Sequence, residues 1–215
     1  MLPFLDAGCE VYGIDIDPKA IENARESYRG HPRKEQLTLI AGDIYDVEPS
    51  SLPAFDLIIM RDVLEHIHDQ EKFIRHLSGF LKSAGGGVFM AFPPFCMPFG
   101  GHQQMCISRV ASRLPYWHLL PRRVYEWLLR LFGESEGRIA GLLEIKDTRI
   151  HLWRFHKMVN RSKFRIVKQT HYLINPNYQT KFGLKPRKLP WAMNIPVVRE
   201  FFITTSYVFM VRQTS

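Results

Sequence analysis

The segment 10–25, EVYGIDIDPKAIENAR, constrains the fold more than any other part of the sequence. A short apolar run at 11–16 carries Asp15 and is followed by Asp17, and Pro18 then opens an apolar pattern with helical spacing. In open α/β sheets, ligands bind at the carboxyl ends of strands, where such an acid can accept hydrogen bonds from ribose hydroxyls. The segment predicts strand, acid and helix, with Asp15 as a candidate nucleotide-binding residue. The alternative is that Asp15 or Asp17 merely caps the helix.

The rest of the first half continues this alternation of strand and helix. Apolar runs at 37–41, 55–60 and 88–92 predict strands, and helical spacing over 69–83 predicts the helix between the last two. Strands separated by helical patterns predict an α/β fold, a doubly wound and mostly parallel sheet with right-handed crossovers. We therefore expect one domain over 1–215, a length that can bury a substantial core.

Composition limits the partners and the compartment only loosely. The net charge of +8 permits anionic partners without identifying one. The three cysteines are odd in number and lack paired metal-ligand spacing, which predicts reduced thiols and a cytoplasmic protein. No apolar run approaches the ~20 residues of a membrane span, so we expect no transmembrane segment.

Four segments of the first half together resemble one enzyme family. They are VYGIDIDPKAIENAR, LIAGDIYDV, FDLIIMRDVLEHIHD and FIRHLSGFLKSAGGGVFMAFPP, and they span roughly residues 2–94. In this order and spacing they resemble class I S-adenosylmethionine-dependent methyltransferases of the small-molecule "type 11" kind. The resemblance implies a Rossmann-like methyltransferase fold with an antiparallel final strand, S-adenosyl-L-methionine as cofactor, and methyl transfer as the activity.

The resemblance also implies roles for single residues. Asp15 stands where the family's acid holds the ribose, Asp43 where an acid contacts the adenine amino group, and His66 at the mouth of the site. The residues expected to bind the cofactor are Asp15, Ile16, Gly42, Asp43, Ile44, Arg61 and Asp62. His66 and His68 could suggest a metal site with Asp62, but the family's LEH segment is ordinarily metal-free, and we predict no metal.

The beginning of the sequence departs from the family pattern. The family's glycine-rich cofactor loop follows its first strand, and FLDAGC at 4–9 only superficially resembles that loop. Asp6 and Asp15 are too close for a loop, a helix and a strand to lie between them, since three helical turns alone need ~11 residues. We therefore expect LPFLDAGC to be the end of a helix that leads into the second strand of the family's sheet.

On that alignment the chain lacks the first strand and the glycine loop. Two inner strands, at 11–16 and 55–60, would then lack a neighbour. We expect either a protein that begins earlier than Met1 or another segment in the gap, including segment exchange in a homo-oligomer. We also expect weak cofactor binding by the 215-residue chain.

The loop after the fourth strand carries the candidate acceptor-binding residues. Gly100 and Gly101 precede His102, Gln103 and Gln104, beyond the carboxyl end of a strand. We expect Gln103, Gln104 and His66 to contact the acceptor and His102 to act as a base if the acceptor must lose a proton. The alternative is a loop whose polar side chains face water.

An inserted loop and helical cap are expected over 95–148. Within it, Val124, Trp127, Leu128 and Leu131 share one helical face, which we expect to pack on the domain rather than on a membrane. A helix over 148–161 and strands over 164–174 and 201–211 are expected to complete the domain. The connection 175–200 has little periodicity and is expected to be a lid or binding loop.

Positive charge is concentrated late in the sequence. Between 146 and 199 there are 13 basic residues and one acid, Asp147. Such a region could meet RNA, anionic lipid or an acidic small molecule, or it could be a solvated basic face.

The sequence as a whole predicts methyl transfer to a small-molecule or lipid-like acceptor that it does not identify. Two alternatives stay open: an RNA methyltransferase, and a non-catalytic nucleotide-fold interaction module. A dehydrogenase is disfavoured because no G-x-G-x-x-G segment is present.

Overall fold

In the computed structural model, which describes residues 1–83 and 85–213, the chain divides into two units, Met1–Pro53 and Ala54–Ser215. The first unit contains two parallel strands, and the second contains a five-stranded sheet with helices around it. Both units are mixed α/β structures, as the alternation of strand and helix predicted.

The first unit is a β-α-β arrangement preceded by a short helix. Helix α1 (Leu2–Asp6) leads into β1 (Val11–Asp15), and α2 (Pro18–Tyr28) connects β1 to the parallel strand β2 (Leu37–Ala41). Pro18 occupies the first turn of α2, and the Asp17 carboxylate caps it by accepting a hydrogen bond from the Lys19 amide. Segment 2–9 is thus a short helix and a turn into a strand rather than a cofactor loop between a strand and a helix.

The sheet of the second unit has the order β3-β4-β7-β5-β6. Its strands are β3 (Leu57–Arg61), β4 (Gly87–Phe92), β5 (Phe164–Ile174), β6 (Arg187–Lys188) and β7 (Thr205–Arg212). Strands β3 and β4 are parallel, and β7 runs antiparallel to both β4 and β5. The antiparallel final strand predicted from the family resemblance is confirmed, and β7 inserts between β4 and β5.

Strand β3 lies at an edge of this sheet. Among the described residues it pairs only with β4, and Leu57 and Ile59 remain 39% and 47% exposed. In the first unit, β1 likewise pairs only with β2 in the part of the chain that the structure describes. These are the two strands that the sequence predicted to lack a neighbour.

The segment after β4 builds a helical cap with its own apolar core. Its main helices are α4 (Arg122–Leu131) and α5 (Glu136–Thr148), and its loops contain three short 3₁₀ turns between 103 and 119. The cap core consists of Cys106, Ala111, Trp117, Tyr125, Leu129, Ile139, Leu142 and Leu143. The cap lies within the second unit; its assignment as a subdomain of one 1–215 domain stays a prediction.

The face of α4 that packs differs from the expected one. Tyr125 and Leu129 are buried, whereas Trp127 and Leu131 are 60% and 64% exposed. The prediction that this face packs on the domain is therefore wrong for Val124, Trp127 and Leu131, whereas Leu128 is partly buried and packs against the cap core. The helix carries apolar residues on more than one face, and tertiary packing selects Tyr125 and Leu129.

Three further segments also differ from those predicted. The helix expected over 148–161 is divided, because α5 ends at Thr148 and α6 (Leu152–Asn160) begins after a separate turn. The connection 175–200 contains α7 (Asn177–Phe182) and β6, so it has more regular structure than its sequence indicated. Helix α3 (Gln70–Leu77) is shorter than the helix expected over 69–83.

None of the helices within 1–83 and 85–213 is long and apolar enough to cross a membrane.

Candidate functional site

The predicted cofactor residues of the first unit lie at the carboxyl ends of two neighbouring strands. Asp15 ends β1 and pairs in register with Ala41 at the end of β2, and the amide of Gly42 donates to the Asp15 carbonyl oxygen at 2.9 Å. Asp43 follows directly and begins a 3₁₀ turn, Ile44–Asp46. The parallel pairing thus brings Asp15, Gly42 and Asp43 to one edge of the unit.

Both carboxylates are ordered locally and keep an oxygen for a ligand. Oδ1 of Asp15 accepts from the Asp17 amide at 2.9 Å, and Oδ1 of Asp43 accepts from the Tyr45 amide at 2.9 Å. Each carboxylate has a second oxygen that can accept from a hydroxyl or an amino group. Ile16, beside Asp15, is 72% exposed and can supply apolar surface. That these residues make the ribose and adenine contacts implied by the family resemblance stays a prediction.

In the second unit, Arg61 and Asp62 follow β3 at the carboxyl edge of its sheet. Arg61 Nε lies 3.5 Å from Asp62 Oδ2, and the Asp62 amide donates to the Ala91 carbonyl oxygen on β4 at 2.8 Å. Asp62 adopts φ 55°, a left-handed conformation that is uncommon for a residue other than glycine. The two side chains are exposed, which suits ligand contact; the prediction that they bind the same cofactor as Asp15 stays a prediction.

The structure brings together His66 and His102, which are 36 positions apart in the sequence. His66 belongs to the 3₁₀ turn Leu64–His66 after β3, and His102 belongs to the loop after β4. Their ring centroids are 5.3 Å apart. Because β3 and β4 are parallel neighbours, both imidazoles lie beyond the same edge of the sheet. The prediction that both imidazoles face an acceptor stays a prediction.

Burial controls the charge state of this pair and of the acid beside it. Burial first, and then proximity to His66, lowers the pKa of His102 to about 4. Next to His66, Glu65 is 3% exposed, and burial raises its pKa to about 8. Neither carboxylate oxygen of Glu65 has a hydrogen-bond partner among the described residues. Sequence analysis did not single out Glu65, because residues 61–69 contain several other charged and polar side chains and nothing local marks Glu65 as the buried one.

The loop that carries His102 is held by a buried histidine. His118 Nε2 donates to the Phe95 carbonyl oxygen at 2.7 Å, and Gln103 Nε2 donates to His118 Nδ1 at 3.1 Å. A Cβ atom on Gly101 would lie 2.3 Å from Cβ of His118, so this position requires glycine for close packing rather than for flexibility.

Gln103 and Gln104 have different surroundings. Gln103 is completely buried, and its amide nitrogen also donates to the Pro98 carbonyl oxygen at 2.9 Å. These contacts give Gln103 a structural role in the loop and do not favour the predicted acceptor contact. Gln104 is exposed, so its side chain is accessible to a ligand.

Two tyrosines from the later part of the chain reach the same edge. Burial, followed by the nearby Asp62 carboxylate, raises the pKa of Tyr178 on α7. Tyr207 on β7 is in register with Ala91 on β4, and burial raises the pKa of its phenol as well. Helix α7 therefore brings part of segment 175–200 close to Asp62, which is consistent with a binding loop.

A second cluster of titratable groups lies elsewhere in the second unit. His151 Nδ1 is 3.0 Å from Glu200 Oε2 and 3.6 Å from Cys96 Sγ. The Cys96 contact and then the Glu200 contact raise the pKa of His151 to about 9. Glu200 is buried, and its other oxygen accepts from the Leu152 amide at 2.8 Å, so it caps α6. This cluster was not found from the sequence, because its members are distant along the chain.

The outer side of the cap contains a cleft of about 450 Å³ that is a weaker candidate. It is open and lined mainly by charged side chains that pair with each other, including Arg122 with Asp147 and Arg130 with Glu126. We therefore place the candidate acceptor site at His66 and His102 rather than in this cleft.

Comparison with known proteins gives a family match for the first part of the chain. Residues 1–89 match a family model described as "Methyltransferase domain". The match includes β1 to β3, and it therefore includes Asp15, Asp43 and Asp62.

Solved structures of methyltransferases share the fold of the whole chain at low identity. The CcbJ methyltransferase from Streptomyces caelestis aligns with a TM-score of 0.55 and 10% identity, over 99% of this chain and 78% of that one. The glycopeptide N-methyltransferase MtfA, complexed with S-adenosyl-L-methionine, aligns with a TM-score of 0.53 and 13% identity, over 99% and 76%. The plantazolicin methyltransferase BpumL, in complex with a triazolic analogue and SAH, aligns with a TM-score of 0.52 and 12% identity, over 99% and 72%.

Proposed function

We propose that this chain is a class I S-adenosylmethionine-dependent methyltransferase that methylates a small-molecule or lipid-like acceptor. The family match over residues 1–89 and the fold shared with solved methyltransferases support this proposal. The observation that carries the proposal is the contact between His66 and His102 at the carboxyl edge of β3 and β4. The cap that carries His102 has its own packed core, so it can hold this loop in place over a small acceptor.

The proposed roles of the cofactor-binding residues rest on the family resemblance. In the first unit, Asp15 would hold the ribose, and Asp43 with Ile44 would hold the adenine; in the second unit, Arg61 and Asp62 would contact the methionine part. The cofactor supplies an electrophilic methyl group on a sulfonium. The protein mainly has to orient the acceptor and exclude water, because in-line displacement depends on alignment.

His102 is the proposed base for an acceptor that must lose a proton. Its lowered pKa keeps the imidazole neutral near pH 7, with a ring nitrogen free to accept a proton, and the same shift makes it a weaker base than an ordinary histidine. His66 and the exposed Gln104 would orient the acceptor beside it, whereas Gln103 would hold the loop.

The exposed Trp191, near Lys185 and Lys188 in the sequence, supports a lipid-like acceptor, since basic and aromatic residues suit an anionic lipid surface.

Two measurements on the full chain test the proposal. Calorimetry with S-adenosylhomocysteine tests cofactor binding, and labelled S-adenosylmethionine tests transfer to small phenols and amines, to phosphatidylethanolamine vesicles and to tRNA. We expect weak but measurable cofactor binding, in line with the prediction from the sequence, and transfer to one of the first two classes. A folded chain without cofactor affinity would contradict the proposal and favour the non-catalytic interaction module.

Variants of the loop locate the acceptor. His102→Asn and Gln104→Ala should reduce turnover and leave S-adenosylhomocysteine affinity nearly unchanged. Asn160→Ala, at the exposed end of α6, is the matched control and should change neither. Unchanged turnover in both loop variants would place the acceptor elsewhere.

An RNA acceptor is the second candidate because most of the basic residues between 146 and 199 are exposed. Those exposed are Arg149, Lys157, Arg161, Lys163, Arg165, Lys168, Lys181, Lys185, Arg187 and Lys188. RNA affinity that falls steeply with salt, together with methyl transfer to tRNA, would favour this candidate.

A cytoplasmic location is proposed from the cysteine content alone.

A further inference from the structure

Glu65 is a buried acid that the described residues leave without a hydrogen-bonding or ionic partner. It is 3% exposed, and both of its carboxylate oxygens lack a hydrogen-bond partner within 1–83 and 85–213. An unpartnered buried polar group is costly, and most such groups in proteins are satisfied. Glu65 therefore indicates a missing partner, and the partner must be one that a carboxylate can bind.

Two imidazoles face this carboxylate. One ligand atom from each of Glu65, His66 and His102 can be chosen so that all three lie within 4.8 Å of one another. His102 is held at φ 56°, a left-handed conformation that costs energy in a residue other than glycine. The loop is fixed in this conformation by the packing of Gly101 against His118, so His102 is directed to this place by the surrounding structure.

The neighbouring charges favour a cation. The carboxylates of Asp62 and Glu144 act on His66, and Asp62 also acts on Glu65. Of these, Asp62 is paired with Arg61 and Glu144 with His68, both at exposed positions. His66 lies on the exposed side of the cluster, which gives an ion a route of entry from solvent.

A comparison within the same unit shows why this cluster differs from an ordinary polar contact. Cys96, His151 and Glu200 also place ligand atoms within 4.8 Å of one another. There, however, both oxygens of Glu200 are hydrogen-bonded, one to His151 and one to the Leu152 amide. That cluster is complete without an ion, whereas the Glu65 cluster is not.

We propose that Glu65, His66 and His102 form a binding site for a divalent transition-metal ion, with Zn²⁺ as its model occupant. Two imidazole nitrogens and one carboxylate oxygen are a donor set used for zinc and, with open positions, for iron. The site differs from the Asp62, His66 and His68 combination that the sequence suggested, because it uses the buried Glu65 and a residue from the cap loop. It also replaces the sequence prediction that the protein binds no metal.

Three protein ligands leave at least one coordination position for water or an acceptor oxygen. An ion there would lower the pKa of an acceptor hydroxyl, and a His102 nitrogen bound to the ion could not also act as the base. This consequence for catalysis rests on the proposed function. Metal binding itself does not, so its test stands even if no acceptor is found.

Calorimetry with Zn²⁺ on the chelator-treated, tag-free full chain is the first test. We expect one ion per chain, and Glu65→Gln and His102→Asn should each weaken binding by about 100-fold or more, since even second-shell changes cost roughly 10–100-fold. The matched controls are His68→Asn, next to the cluster, and His151→Asn, in the other cluster. Both controls should bind Zn²⁺ like the unaltered protein.

Equal affinity in Glu65→Gln, His102→Asn and the unaltered protein would overturn the site. Loss of binding only in His68→Asn would instead move the ion to the position that the sequence suggested. Circular dichroism should show that each variant is folded before its affinity is interpreted.

X-ray absorption on the Zn²⁺-loaded unaltered protein keeps the test independent of variant folding. We expect two imidazoles and oxygen ligands with no sulfur around the ion. Sulfur in the first coordination shell would place the ion at Cys96 and overturn the proposal. Absence of stoichiometric Zn²⁺ binding by the unaltered, folded protein would overturn it as well.

Discussion

Thr148 Oγ1 donates a hydrogen bond to the main-chain carbonyl oxygen of Glu65, with the two oxygen atoms 2.5 Å apart. Thr148 is the last residue of α5, and Glu65 lies in the turn after β3. The side chain of Gln70 reinforces this link, because its amide nitrogen donates to the carbonyl oxygens of Leu64 and Thr148 at 3.0 and 3.3 Å. The end of the cap therefore holds the turn that carries Glu65 and His66.

Thr148→Val should reduce the free energy of unfolding by about 1–3 kcal/mol. The substitution keeps the side-chain shape and leaves the buried Glu65 carbonyl oxygen without this donor, which is costly in a protein interior. Urea denaturation measures the change. Thr180→Val, at an exposed position on α7, is the control and should stay within ~0.5 kcal/mol of the unaltered protein. Equal effects would contradict the link.

Two tryptophans of the cap should respond very differently to truncation. Trp117 is 8% exposed, its Nε1 donates to the Ala111 carbonyl oxygen at 3.1 Å, and its ring lies 4.6 Å from that of Tyr125. Trp117→Ala should cost about 3–5 kcal/mol, the usual range for removing a buried aromatic side chain. Trp127→Ala on the exposed face of α4 should cost ~0.5 kcal/mol or less. The reverse order in thermal or urea unfolding would show that the expected face of α4 packs after all.

Stability should fall at alkaline pH through His151. The pKa of His151 is raised to about 9 in the folded protein, above its ordinary value of 6.5, by contacts with Cys96 and then Glu200. Because the folded protein binds this proton more tightly than the unfolded chain, protonated His151 stabilises the fold. This stabilisation is complete below pH 6.5 and is lost as the pH rises through 9. Between these limits we expect the free energy of unfolding to fall by about 3 kcal/mol more in the unaltered protein than in His151→Asn.

Urea denaturation at a series of pH values measures this difference. Cys96→Ser should reduce the pH dependence, because the contact with Cys96 is the largest cause of the raised pKa of His151. Glu200→Gln should remove part of the pH dependence, because it removes the charge but keeps a hydrogen-bonding oxygen. Parallel profiles for the unaltered protein and His151→Asn would refute the assignment.

Asp15→Ala should weaken S-adenosylhomocysteine binding by about 1–3 kcal/mol. The expected cause is loss of charge-assisted hydrogen bonds to the ribose, which the carboxylate at the end of β1 can accept. Glu26→Gln, on the exposed face of α2, is the control and should leave affinity unchanged. Calorimetry on the folded full-chain variants measures the affinity for S-adenosylhomocysteine. Unchanged affinity in Asp15→Ala would show that Asp15 is not part of the cofactor site.

Much of the first unit was predictable because its signals are local. The apolar run at 11–16, the acid that follows it and Pro18 set strand, turn and helix within a few residues, and β1 and α2 appear where they were expected. Parallel pairing of β1 and β2 then brings Asp15 and Asp43 to one edge, as the alternation of strands and helices predicts.

The sequence by itself determined the mixed α/β class, the positions of most strands and the family resemblance carried by the first 94 residues. Only the tertiary structure decided that His102 meets His66, that Thr148 holds Glu65 across 83 positions, and that Glu200 reaches His151 across 49. Local periodicity specifies which residues form a helix or strand, because it depends on neighbours a few positions apart. Which face is buried and which polar groups meet depends on how distant segments pack, and it was this packing that left Glu65 buried beside two imidazoles.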